Sequence, residues 1–294
     1  MSTRPQVMLE KRGPLGRFWM LLGLAAEASY RDNCFGIAKG AAYSGLLSFF
    51  PVLTTLATLL VQANADQVSR TIARFLYEVV PPGTEDVVRR LFLVQGQRPA
   101  YVLITAVIVA AWAASGAVMS MMEGFRAIYQ IPTGRGFIQD RVVALLLVFV
   151  SVLPVWAASA LIVIGTRTVA QILGFLPAGG ELSGWVSTFA QVLRYLVGFG
   201  SFVLVTALVY YFAPNRKHTF ASVLPGAILA TLLWLLATVA FGWWVRHVAN
   251  YNVLYGSVGA GLALLGWMYV LAVVTFYGAE FNAVQEQGGN LGNE

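Results

Sequence analysis

Residues 35–61 read FGIAKGAAYSGLLSFFPVLTTLATLLV. A helix rises about 1.5 Å per residue, so this run reaches about 40 Å, enough to cross a hydrocarbon layer of about 30 Å. Its apolar residues surround the whole helix, whereas a helix on a soluble domain keeps one polar face. Working outward, five further stretches have the same character, at about 100–122, 142–166, 186–212, 220–245 and 253–283. The sequence therefore predicts an all-α integral membrane protein with six transmembrane helices in one bundle. Pro51, Pro154 and Pro225 fall inside spans, where neighbouring helices can satisfy the carbonyls that a proline frees. They are candidate break points. No internal repeat is visible, so sequence symmetry gives no support to an inverted-repeat transporter.

Composition agrees. Apolar residues make up 58% of the 294-residue chain and charged residues only 11%, against about 25% charged in soluble proteins. Mean hydropathy is +0.72. These values exclude a secreted disulfide scaffold, a disordered chain and a typical soluble enzyme. The single cysteine, Cys34, cannot form an internal disulfide. The net charge of +6 would suit nucleic acid in a soluble chain, but in a membrane chain it reflects loops enriched in Lys and Arg on the cytoplasmic side. With the N-terminus inside, ten Lys and Arg fall on the cytoplasmic side, Arg135 and Arg141 among them, and seven on the other. The positive-inside rule then places both termini in the cytoplasm, on the strength of the N-terminal cluster Arg4, Lys11, Arg12, Arg17 and Arg31.

Two amphipathic regions flank the first span. Residues 15–33 predict an interfacial helix with Leu15, Phe18, Trp19 and Leu22 on one side. The same segment, a basic start followed by FWMLLGLAA and Ala26–Glu27–Ala28, also has the form of a signal peptide with its cleavage site. Between spans one and two, residues 62–98 read either as two short amphipathic helices separated by Pro81–Pro82–Gly83 or as an ordinary structured loop. Residues 1–283 thus form a single domain, and the Gly-rich polar residues 284–294 are expected to be a disordered tail.

Several segments resemble one family. AKGAAYSGLLSFFP (38–51), YYFAPNRK (210–217), FGWW (241–244), YNVLYGS (251–257) and GAEFNA (278–283) occur in the order and spacing of the YihY/BrkB family of bacterial inner-membrane proteins. IYQIPTGRGFIQDR (128–141) matches more loosely. Many of that family's members carry a ribonuclease BN label through an old misassignment. The resemblance covers nearly the whole chain and implies a multi-pass protein of the inner membrane with six helices. Lys39 stands where the family has alanine.

Candidate functional residues are those whose polarity is costly at bilayer depth. Lys39, near the start of span one, and Glu280, near the end of span six, sit at similar depth and could pair, or each could reach the interface separately. Tyr43, Ser44, Ser48 and Asn282 complete a candidate intramembrane polar site. Gly36, Gly40, Ser44 and Ser48 also form a ridge of small side chains suited to close helix packing. Arg246, Tyr251, Asn252, Tyr255 and Ser257 form a candidate polar cluster at the far face, suited to a headgroup or to anchoring a helix end. No metal or cofactor is expected. His218 and His247 fall in loops on opposite faces, no zinc spacing or phosphate-binding loop is present, and the loops lack the converging carboxylates of a two-metal nuclease. The chain reads as a non-enzyme that contacts membrane lipids and not nucleic acid. Two roles remain: transport or export of a lipid-like or envelope amphiphile, or a non-transporting scaffold or regulator of envelope assembly.

Overall fold

The computed structural model describes residues 13–62, 100–132, 135–174, 181–216, 218–247 and 251–290. These form seven α-helices: α1 (Pro14–Arg31), α2 (Cys34–Gln62), α3 (Ala100–Ile128), α4 (Phe137–Gly174), α5 (Glu181–Phe212), α6 (Phe220–His247) and α7 (Tyr251–Asn290). Among the described residues there is no strand. Five helices, α3 to α7, contain stretches long and apolar enough to cross a membrane. The 29-residue α2 packs among them. The expected amphipathic segment 62–98 lies outside the described residues apart from its first residue.

Helices α2 to α7 close a ring in which each packs on its sequence neighbour and α7 returns to α2. α7 also touches α3 across the ring, and α1 lies against its outside. The prolines do not break their helices. Pro51, Pro154 and Pro225 all sit inside continuous α-helix.

The turn between α3 and α4 shows how the sequence ends a span. Gln130 takes a left-handed φ of 50°, the Ile131 N–H donates to the Arg126 carbonyl, and the Gln130 N–H donates to that of Ala127. This doubly bonded C-terminal turn satisfies carbonyls that the helix leaves open, and Pro132 follows it.

All six ring helices converge on one core. Cys34, Ala38 and Ala41 meet Phe125 and Met122, Ala144 and Leu147, Ala207 and Tyr210, Val223 and Ala227, and Phe276 and Ala279. This core lies where α2, α4 and α6 begin and α3, α5 and α7 end. The opposite half is different. No described residue is buried in α5 before Ala207, in α6 beyond Thr231 or in α4 beyond Ala158.

One expectation needs correction. The chain does not lose helical order at residue 284. α7 runs to Asn290, with Val284 packed on the α1 contact and Glu286 paired with Arg216 at 2.6 Å. Leu15, Phe18, Trp19 and Leu22 lie along one side of α1, within an arc of about 100°, and α7 covers only part of it. Leu21 and Ala25 are buried on α7 with Phe281, Phe18 meets the edge of Phe281, and Leu22 packs on the same contact. Leu15 and Trp19 point outward, 75% and 66% exposed.

Candidate functional site

The segment 278–283 (GAEFNA) is buried throughout, and its polar atoms are matched one by one. Asn282 Oδ1 accepts the Gly226 N–H at 2.7 Å, and its Nδ2 donates to the Val223 carbonyl at 3.0 Å, so one amide bridges the residues on either side of Pro225. This bond requires α6 and α7 to touch at the backbone. A Cβ built on Gly226 would stand 2.1 Å from the Gly278 carbonyl oxygen, and one on Gly278 would stand 2.6 Å from that of Gly226. Tyr210 donates its hydroxyl to the Thr275 carbonyl one turn away. Its ring meets the edge of Phe125, which in turn meets Phe276.

Glu280, 1% exposed, faces the link between α1 and α2. Asn33 takes a left-handed φ of 54° there, which Asn tolerates better than most residues. Gly36 leaves room for it, since a Cβ at 36 would lie 2.5 Å from Asn33 Oδ1. This turn buries Cys34, whose Sγ donates to Glu280 Oε1 at 3.5 Å. Asp32 faces the same carboxyl and accepts from Arg31 Nε at 3.2 Å. That hydrogen bond, outweighing partial desolvation, raises the pKa of the Arg31 guanidinium.

Lys39 does not join Glu280. Cys34, Ala38 and Ala41 set the buried face of α2, and Lys39 is five residues from Cys34, about 140° around the helix at 100° per residue. It is exposed, and among the described residues no carboxylate lies in ion-pair range of it. The other members of the expected intramembrane set also separate. Tyr43 is 59% exposed, Ser44 hydrogen-bonds Ser120 of α3 at 2.8 Å, and Ser48 donates to the Gly45 carbonyl of its own helix. The small-residue ridge is used only in part, because nothing lies within 4 Å of a Cβ on Gly40. The side chains of Arg246, Tyr251, Asn252, Tyr255 and Ser257 lie outside the described residues.

Around Glu280, the same end of the ring carries a second polar layer. Arg126 pairs with Asp140 across α3 and α4. Arg216 pairs with Glu286 and places its guanidinium 4.7 Å from the Tyr129 ring centre. Arg135 reaches the carbonyls of Phe212 and Ala213, which end α5. Burial, with a smaller contribution from Glu286, raises the Tyr129 pKa well above the usual phenol range. His218 lies beside the rings of Tyr129 and Tyr211, and both its ring nitrogens are buried without a hydrogen-bond partner.

One residue was missed by sequence reasoning. Arg141, counted there as a loop charge, is in the second turn of α4 and points along α3. Its Nη2 donates to the Trp112 carbonyl at 2.9 Å, and its guanidinium carbon is 3.7 Å from the Trp112 ring centre. Gly136, just before α4, was the available sign that the helix starts four residues ahead of Arg141.

A family model described as virulence factor BrkB matches residues 25–293. A Bacillus subtilis protein named as ribonuclease-like, YfkH, is 27% identical over 263 residues, which are 88% of this chain and 93% of that protein. A UPF0761 membrane protein of Chlorobium phaeobacteroides is 25% identical over 85% of this chain and 54% of its own length. One from Prosthecochloris aestuarii is 42% identical over 25% of this chain and 18% of its own length. The matches therefore span about half or less of these two UPF0761 relatives. No solved structure matches significantly.

Proposed function

Because the chain belongs to the BrkB virulence factor family of membrane proteins, we propose that it crosses the bacterial inner membrane six times, with both termini in the cytoplasm, and moves a lipid-like or envelope amphiphile. α2 would be the sixth span beside the five apolar helices, and α1 would lie in the interface with Leu15 and Trp19 in the lipid. In this orientation the packed end holding Glu280 is the cytoplasmic one.

The observation that supports transport is the one-sided closure of the ring. A pure anchor gains nothing from leaving two of its helices half uncovered. Here α4 and α5 are packed at one end and hold no described buried residue along the other half, with Phe189 and Tyr195 each 71% exposed, whereas α6 stays packed on α7 there through Trp234, Thr238 and Phe241. Such helices offer an amphiphile lateral access from the bilayer. Glu280 is a buried acid at the closed end and would act as the polar gate there. No enzymatic step is proposed, and the ribonuclease-like name belongs to the relative alone.

The rival is a non-transporting scaffold, favoured by the arginine-rich rim that Arg31, Arg135 and Arg216 make at the packed end. Reconstitution into liposomes with fluorescent lipid scrambling separates the two. Transport predicts scrambling that falls severalfold in Glu280→Gln and is unchanged in Lys39→Ala. No scrambling across lipid types would leave the scaffold.

A further inference from the structure

Arg141 lies within a stretch long and apolar enough to cross a membrane, Phe137–Ile162, yet its head group turns inward along α3. The guanidinium sits level with Gly116, where a Cβ would lie 3.8 Å from Nη1. Gly116 is twelve residues before the end of α3, about 18 Å of helix. The charge is therefore held well below the helix end and does not reach for the interface as a long basic side chain normally would.

Its contacts do not neutralise it. Nη2 binds the Trp112 carbonyl, Nη1 lies 3.3 Å from Met119 Sδ, and the indole of Trp112 covers one face. Nε is buried without a partner. The adjacent acid, Asp140, is committed to Arg126. Among the described residues no carboxylate lies in ion-pair range of Arg141. A charge at such depth is costly unless an anion joins it.

The surroundings supply a place for one. On α3 the stripe that faces α4 runs through Arg126, Met119, Trp112, Ile108 and Tyr101. Beyond Trp112 that stripe is open, with Ile108 61% and Tyr101 69% exposed. On α4 the stripe continuing from Arg141 becomes exposed at Val152, Val155 and Ser159. Past the guanidinium both helices thus present mostly apolar, exposed side chains, with one cation and one indole at the apex of that surface.

We propose that this apex binds the phosphate of an anionic membrane lipid, with the acyl chains lying along the exposed apolar side chains of α3 and α4. A guanidinium fork matches phosphate oxygens in a bidentate pair, and Trp112 fits the boundary between headgroup and chain. The assignment rests on the amphiphile reading above and names the headgroup chemistry that reading leaves open.

Native mass spectrometry of the full chain in detergent, titrated with dioleoyl phosphatidylglycerol, tests it. One lipid should bind saturably to the native chain. A charge-assisted pair predicts that Arg141→Gln weakens this about tenfold or more. Arg141→Lys keeps the charge but loses the fork, and should bind severalfold weaker than native while melting near the native temperature. Arg135→Gln, at the exposed rim, should bind as the native chain does. Dioleoylglycerol, which lacks the phosphate, should not bind saturably, and millimolar inorganic phosphate should not displace the lipid. Equal lipid binding by native, Arg141→Gln and Arg141→Lys chains overturns the site. So does equal binding of dioleoylglycerol, and displacement by inorganic phosphate would assign the apex to a free anion instead. Binding that depends on Arg141 without any scrambling would remove the transport reading and leave this site standing.

Discussion

The two halves of the helix ring are built from the same apolar alphabet and differ in how closely backbones approach. At the packed end Gly124, Gly226 and Gly278 sit under Phe276, Gly278 and Gly226 respectively, each closer than a Cβ could stand. In the open half Gly165, Gly184, Gly198 and Gly200 have nothing within 4 Å of where a Cβ would be. Several polar residues of the packed end differ in the same sense from those in the far halves of α4 and α5. Asn282, Tyr210 and Glu280 bond between helices at the packed end. Ser159, Thr168, Ser187 and Thr188 in the open half return their hydroxyls to their own helix. A small or polar residue in a membrane helix is thus evidence of packing only when its partner is known.

The largest expected effect tests the glycine contrast. Gly226→Ala or Gly278→Ala forces two backbones apart, and overpacking of this kind costs about 1–3 kcal/mol, or more where backbone must move. Gly198→Ala or Gly200→Ala should instead stabilise by about 0.5–1 kcal/mol, since alanine favours helix and meets no atom there. Melting temperatures of the purified variants should move in opposite directions. Equal shifts would erase the distinction between the halves.

Next comes the amide bridge. Asn282→Ala removes two buried hydrogen bonds that join α6 to α7 beside Pro225, at about 0.5–1.5 kcal/mol each. Ser187→Ala and Thr188→Ala, whose hydroxyls only back-bond to Gly184, should lie within about 0.5 kcal/mol of the native chain. A mild Asn282→Ala would show that at this end the glycine contact holds α6 and α7 without help from the amide.

The fold was legible because a bilayer demands long apolar runs, and those runs survive without knowledge of any neighbour. The site was legible in its residues and not in its pairings. Glu280 and Asn282 stand out as polar residues in an apolar run, and both are buried. Lys39 stood out equally and points away, because depth along a helix was readable and azimuth was not until Cys34, Ala38 and Ala41 defined the buried face. Arg141 failed for the reverse reason. Placing the start of a span one residue after it turned a membrane-depth cation into a loop charge.

His218 sharpens the comparison from the packed side, because there burial and satisfaction part company. Both ring nitrogens are buried and unpartnered between Tyr129 and Tyr211, so the ring contributes as an aromatic plate and its nitrogens cost free energy. Replacing an unpaired polar group by an apolar one of similar shape is nearly neutral or stabilising. His218→Phe should therefore hold or raise the melting temperature, by up to about 1 kcal/mol in stability. A clear loss would reveal a partner that His218 acquires in the bilayer.

The smallest effect concerns the last turns of α7, where the packed end meets water. Arg216 and Glu286 are 34% and 18% exposed at their side chains, so solvent screens the pair and its contribution is at most about 1 kcal/mol. Breaking it with Glu286→Gln should leave global melting almost unchanged and act locally. Amide exchange at 284–290 should quicken severalfold, while Gly278–Ala283, held by Asn282 and the glycine contact, should keep its protection. High salt should reproduce the local change in the native chain, since it screens exposed pairs far more than buried ones. If exchange also quickened at Asn282, the ion pair would be part of the packed core and not its edge. The boundary between the two kinds of packing would then lie nearer the end of α7 than the burial of 278–283 places it.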